Sequence, residues 1–162
     1  MSNKKQSVAI LVPVDFSPAS EAAVAWAADV AASRKAHLVI LHIVHDLGEA
    51  PGFYAVKGRK KQLQRMEDIA ADMLDDFQKK LVEEHPNLIE IKRAKLELVV
   101  GLPVPRILEI IKKIQPEMVI MGSQGRTGLG YLMLGSKAEQ MVRLCPVPVT
   151  VVKAPEEPSK SE

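Results

Sequence analysis

Residues 8–14 are an apolar, β-branched run that follows a polar lead-in and stops at Asp15. That pattern predicts a strand. Ser17 then suits a helix N-cap, and Pro18 suits the first helical position. An alanine-rich helix is expected over 18–34. Residues 37–44, HLVILHIV, are apolar almost throughout, as in a strand covered on both faces. Gly48, Pro51, Gly52 and Gly58 mark a loop over 46–58. Over 60–84 the apolar positions Leu63, Met66, Ile69, Ala70, Met73, Leu74, Phe77 and Leu81 keep to one helical face. This Met-bearing stripe reads as a sheet-packing face, with a partner groove as the other reading.

A third strand is expected over 94–100. There Lys95 and Glu97 alternate with Leu96 and Leu98, which suggests a wetter edge strand. The turn 101–105 leads into a helix carrying Ile107, Leu108, Ile111 and Ile114, and Pro116 ends it. A fourth strand follows over 117–121, a helix over 137–144 and a fifth strand over 145–153, CPVPVTVVK. Regular alternation of strand and helix implies right-handed βαβ units. The expected fold is α/β: one doubly wound, five-stranded parallel sheet with helices on both faces. The domain would span 1–153, and 154–162 would be a polar, disordered tail. Ligands of such sheets lie beyond the carboxyl ends of the strands, where strand order reverses. Pro13, Val14 and Asp15 end the first strand, and Met121, Gly122 and Ser123 end the fourth, so the site is sought there.

Composition narrows the functions. The chain has 162 residues, 47% hydrophobic and 26% charged, which suits one globular domain. A formal charge of +2 gives no electrostatic case for nucleic acid or membrane. Aromatic residues are only 4%, too few for the stacking platforms of single-strand binders or for covering a flavin. Cys145 is the lone cysteine, so no intrachain disulfide forms and a cytoplasmic location is expected. The run 8–14 is too short for a membrane span. His42 and His45, three apart at a strand end, would face opposite ways and make a poor metal pair.

The chemistry concentrates in residues 122–136, GSQGRTGLGYLMLGS. Gly122, Gly125 and Gly135 stand at spacings of three and ten, and Ser136 follows. Glycine lets backbone N–H groups approach an anion without Cβ interference. Ser136 opens a helix whose free N–H groups favour phosphate. With Glu139 it also forms an S-x-x-E capping box, so cap and phosphate contact stand together as readings. The P-loop pattern, the dinucleotide fingerprint and the nucleophile elbow are all absent. A phospho-receiver is disfavoured because the third strand ends in Gly101, with no acceptor aspartate.

The spacing G-x2-G-x9-G-S after the fourth strand resembles the ATP-binding motif of the universal stress protein family. Residues 12–17, VPVDFS, resemble that family's opening, and 135–149 resemble its close. The resemblance implies that Asp15 holds the ribose or adenine side, with Pro13, Val14 and Val44 lining the base pocket, and Met121 at the end of the fourth strand belongs to the cofactor-binding set. It implies that Gly122, Ser123, Gly125, Gly135 and Ser136 cradle the phosphates of ATP, carried with Mg. Arg126 would neutralise phosphate charge or be a solvated loop residue. Lys137 would reach the phosphates or point to solvent. The sequence departs from the family pattern at Lys137, often small and apolar there, and at Gln124, often basic.

Three functions follow: a nucleotide-binding regulatory dimer, a slow ATPase or phosphotransferase using the same pocket, or a nucleotide-independent interaction module. Retention of the glycines with Asp15 favours the first. A homodimer is expected through 147–151, where Val147, Val149 and Val151 alternate beside Pro146 and Pro148. Proline cannot donate to a ladder, so this should be an edge strand.

Overall fold

The computed structural model describes residues 8–46, 58–124 and 133–155. Its elements run β1 (Ala9–Val14), α1 (Pro18–Arg34), β2 (His37–His45), α2 (Arg59–Glu84), α3 (Ile89–Arg93), β3 (Lys95–Gly101), α4 (Pro103–Ile114), β4 (Met118–Gly122), α5 (Ser136–Leu144) and β5 (Val149–Val152). The five strands form one parallel sheet in the order β3-β2-β1-β4-β5. The expected α/β fold is what the chain adopts.

Strand alternation divides the sheet between two cores. Ile10, Val12, Leu38, Ile40 and Ile120 face one side, against α1, α2 and α3. Leu11, Val39, Leu41, Val119 and Met121 face the other, against α4 and α5. Both sides being covered explains why the strand sequences are apolar almost without interruption. Each fully buried Ile, Leu or Val contributes about 1.5–3 kcal/mol. Helix α1 meets the sheet through Ala19, Ala23, Ala27, Ala28 and Ala31, whose small side chains permit close approach.

Edges fall where the sequence placed them, at β3 and β5. Strand β5 is shorter than expected, beginning at Val149. Pro146 and Pro148 have no N–H to donate, and Pro148 enters the sheet only as an acceptor, its carbonyl taking the Val119 N–H at 2.9 Å. Helix α3 has no counterpart in the sequence reading. It buries Ile91 completely and is held by Gln78 of α2, whose Nε2 donates to the Ile91 carbonyl at 2.8 Å.

The order reverses at β1. Pairing of β1 with β2 continues to Val14 and His42. Pairing of β1 with β4 ends at Leu11 and Val119. Beyond that point β1 and β4 part, and the gap between their carboxyl ends opens a crevice.

Candidate functional site

A cavity of about 460 Å³ occupies this crevice on the α4–α5 side of the sheet. Pro13, Val14, Leu41, Ile43, Pro103 and Ile107 give it an apolar wall, supplied by β1, β2 and the start of α4. Gly122, Ser123, Gln124, Gly135, Ser136 and Lys137 give it a polar wall, supplied by β4 and the start of α5. Met121, Asp15 and Ser20 also line it.

The polar wall is pinned at its base. The Ser123 N–H donates to the Val152 carbonyl at 2.8 Å, and the Gly135 N–H donates to the Ser123 carbonyl at 2.8 Å. Residues twelve positions apart in the glycine-rich segment are thereby brought side by side. Gly125 and Arg126 lie outside the described residues.

The end of α5 differs from the capping-box expectation. Its N-cap is Gly135, with extended φ −62° and ψ 146° and no side-chain cap. Ser136 is the first helical residue, so its hydroxyl does not take the cap position. The first helical hydrogen bond runs from the Glu139 N–H to the Gly135 carbonyl at 2.9 Å. The N–H groups of Ser136, Lys137 and Ala138 precede that bond, and these three residues line the cavity. Uncapped amides at the positive end of a helix dipole attract an anion.

Gly122 serves packing as well as the cavity. A Cβ built there would stand 2.8 Å from the Ala19 carbonyl carbon, 2.9 Å from the Ala19 Cβ and 3.0 Å from the Ser20 nitrogen. The first turn of α1 thus rests directly on the end of β4.

Across the cavity, the Asp15 carboxylate accepts from the Ser17 N–H at 3.1 Å and from the Ser17 hydroxyl at 2.5 Å. Ser17 in turn caps α1, its Oγ accepting the Ser20 N–H at 3.2 Å. Asp15 therefore supports the α1 cap while lining the cavity. Hydrogen bonding offsets the cost of placing a carboxylate beside apolar strand ends.

Of the expected base-pocket residues, Pro13 and Val14 line the cavity and Val44 does not. Val44 is 4% exposed and lies one residue out of phase. Leu41 and Ile43 occupy the cavity-facing positions of β2, and His45 shares their parity. His42 faces the α1–α2 side, where its ring stacks on Phe16, yet it reaches the lining at the strand end.

The family model of the universal stress proteins matches residues 9–153. The chain belongs to the universal stress protein family. A universal stress protein of Mycobacterium tuberculosis is 33% identical over 154 residues, spanning 94% of this chain and 50% of that relative. The chain thus spans about half the length of the mycobacterial relatives it matches. The structure of a universal stress protein from Lactobacillus plantarum aligns with TM-score 0.72 and 24% identity, covering 92% of this chain and 99% of that one. An Arabidopsis thaliana universal stress protein with AMP bound aligns with TM-score 0.59 and 18% identity, covering 94% of this chain and 97% of that one. At such identities the structural likeness speaks for the fold alone.

Within this universal stress protein the sequence reading missed Leu41, Ile43, His42, His45, Pro103, Ile107 and Ser20 as cavity residues. Alternation along β2 was the available signal for Leu41 and Ile43. The position of α4 over the same crevice had no local signature.

Proposed function

We propose that this universal stress protein binds ATP in the crevice between β1 and β4 and acts as a cytoplasmic regulatory dimer. The observation that carries the reading is the uncapped start of α5 beside Gly122 and Ser123, facing an apolar wall across a cavity of about 460 Å³. The apolar wall suits a base, and the helix start suits phosphates. Asp15 would hold the nucleoside, and Gly122, Ser123, Gly135 and Ser136 the phosphates. Gly125, Arg126 and Lys137 complete the proposed set from sequence. Among the described residues no three His, Cys, Asp or Glu side chains cluster to hold a metal ion. Magnesium would therefore arrive on the phosphates, keeping most of its water.

ATP affinity is expected in the micromolar range, about −8 kcal/mol. Mass spectrometry of nucleotide released from freshly purified protein, with calorimetry of wild type and Asp15→Ala, tests this. Absence of ATP binding by the wild type overturns the proposal. Turnover below ~1 s⁻¹ is expected, because the glycine motif offers no evident side chain to position an attacking water and Asp15 is assigned to the nucleoside end. Ordinary enzymatic phosphate release, removed by Asp15→Ala, would make the protein an ATPase instead.

The dimer would form through β5. It is an edge strand, and the exposed Val142 and Leu144 of α5 stand just before it in the chain. An open apolar edge is best covered by its two-fold copy. Sedimentation at micromolar concentration should show a dimer that Val149→Lys dissociates; a monomer in both rules the interface out. Among the described residues no helix is long and apolar enough to cross a membrane.

A further inference from the structure

Three non-glycine residues among those described have a positive φ: Phe16 at 63°, Lys35 at 53° and Gln115 at 47°. Lys35 and Gln115 are the C-caps of α1 and α4, where left-handed backbone is ordinary. Phe16 ends no helix. It stands in the turn between β1 and α1, and a bulky side chain in that conformation is strained. Such strain persists only where the surroundings over-determine it, and it concentrates at ligand clamps.

The surroundings of Phe16 are specific. The His42 ring lies 4.3 Å from the Phe16 ring, tilted by 32°. Phe77 of α2 meets the other ring edge-on at 5.4 Å. His42 is also the register partner of Val14, and its Nδ1 lies 2.8 Å from the Val14 carbonyl. A carbonyl can only accept, so Nδ1 carries the proton of that bond. One imidazole therefore grips the residues immediately before and after Asp15.

We propose that His42 is a positioning residue of the nucleotide site: it clamps the strained β1–α1 turn so that Asp15 and Ser17 keep the arrangement presented to the cavity. The inference rests on the ATP-binding reading above. Without the clamp the turn relaxes toward negative φ at Phe16. Relaxation carries Asp15 away from Ser17, whose N–H and hydroxyl it now accepts. Phe77 buttresses the clamp from α2, so the geometry at the cavity depends on an element that does not line it.

The test uses the full chain, with ATP as the probe and the Ser17 amide as a ligand-free reporter in NMR. His42→Leu keeps apolar bulk and removes the donor; it is expected to weaken ATP binding about tenfold and to move the Ser17 amide upfield. His42→Asn, which returns an amide donor near the Nδ1 position, should recover most of both. Phe16→Gly should bind ATP within about threefold of wild type, because glycine reaches positive φ without strain. In that background the loss from His42→Leu should shrink to about twofold. A purely structural histidine would lower the melting temperature and leave both the ATP affinity and the Ser17 amide of the folded protein unchanged. Equal ATP affinity in wild type and His42→Leu, or an undiminished loss in the Phe16→Gly background, overturns the proposal. A wild type that binds no ATP overturns the nucleotide reading, and the Ser17 amide then decides the clamp: moved by His42→Leu it stands, unmoved it falls.

Discussion

Two helices begin at the cavity, and they begin differently. Helix α1 satisfies its own N-terminus: the Ser17 hydroxyl accepts the Ser20 N–H, Asp15 accepts from Ser17, and Glu21 sits in the first turn. Helix α5 has glycine at the N-cap, no side-chain cap and a lysine at its second position. Both first turns carry a glutamate, Glu21 and Glu139, so the difference is the cap: the Ser17 hydroxyl takes an amide of α1, whereas no side chain takes those of α5. A cation in the first turn opposes the helix dipole, so Lys137 is unfavourable in the empty protein and favourable beside a phosphate. Under the proposed function the contrast would separate folding from binding, with the α1 start serving the first and the α5 start the second.

The contact between α1 and β4 offers the largest break in that arrangement. Gly122→Ala drives a methyl group into the backbone of Ala19 and Ser20, which cannot yield as a flexible side chain would. Overpacking of this kind costs about 1–3 kcal/mol, and thermal unfolding should show it, with ATP affinity falling as well. Gly135→Asp gives α5 the kind of cap α1 already has. A carboxylate there should stabilise the protein by about 0.3–1 kcal/mol through the dipole while weakening ATP at least tenfold, about 1.4 kcal/mol. Calorimetry and melting curves moving in opposite directions would confirm the division of labour; parallel movement would refute it.

Ser17→Ala makes the reciprocal change at α1 and should cost about 1 kcal/mol of stability in chemical denaturation. Lys137→Ala is the mildest probe. It should raise the stability of the empty protein by about 0.3–1 kcal/mol and weaken ATP a few-fold at low salt. That affinity difference should vanish at high ionic strength, where exposed charges are screened. Unchanged binding at every salt concentration would place Lys137 in solvent only.

Several errors of the sequence reading share one origin. Val44 and Ile43 are adjacent β-branched residues in a strand that is apolar on both faces, so nothing local says which faces the crevice. Register with Val14 and Val100 fixes that, and a one-residue change reverses it. Ser136 followed by Glu139 satisfies the capping-box pattern, but the hydrogen bond from Gly135 to Ser123 sets the helix start one residue earlier. At α3, five residues with alternating Ile89 and Ile91 carry too short a signal for any period, and the helix forms because Ile91 completes the core under α2.

By itself the sequence determined the alternation of strands and helices, the two edge strands and the strand ends where the cavity opens. Those features follow from local properties: apolar runs long enough to be buried on both faces, prolines that cannot donate, and glycines clustered after a strand. Tertiary structure alone decided which β2 side chains enter the cavity, that α4 walls it, and that Gly135 is brought against Ser123. It also set His42 beside the turn at Phe16, a pairing between residues that no local pattern links. Register, crossover and long-range hydrogen bonding join positions far apart in the chain, and their energies are settled only when both partners are in place.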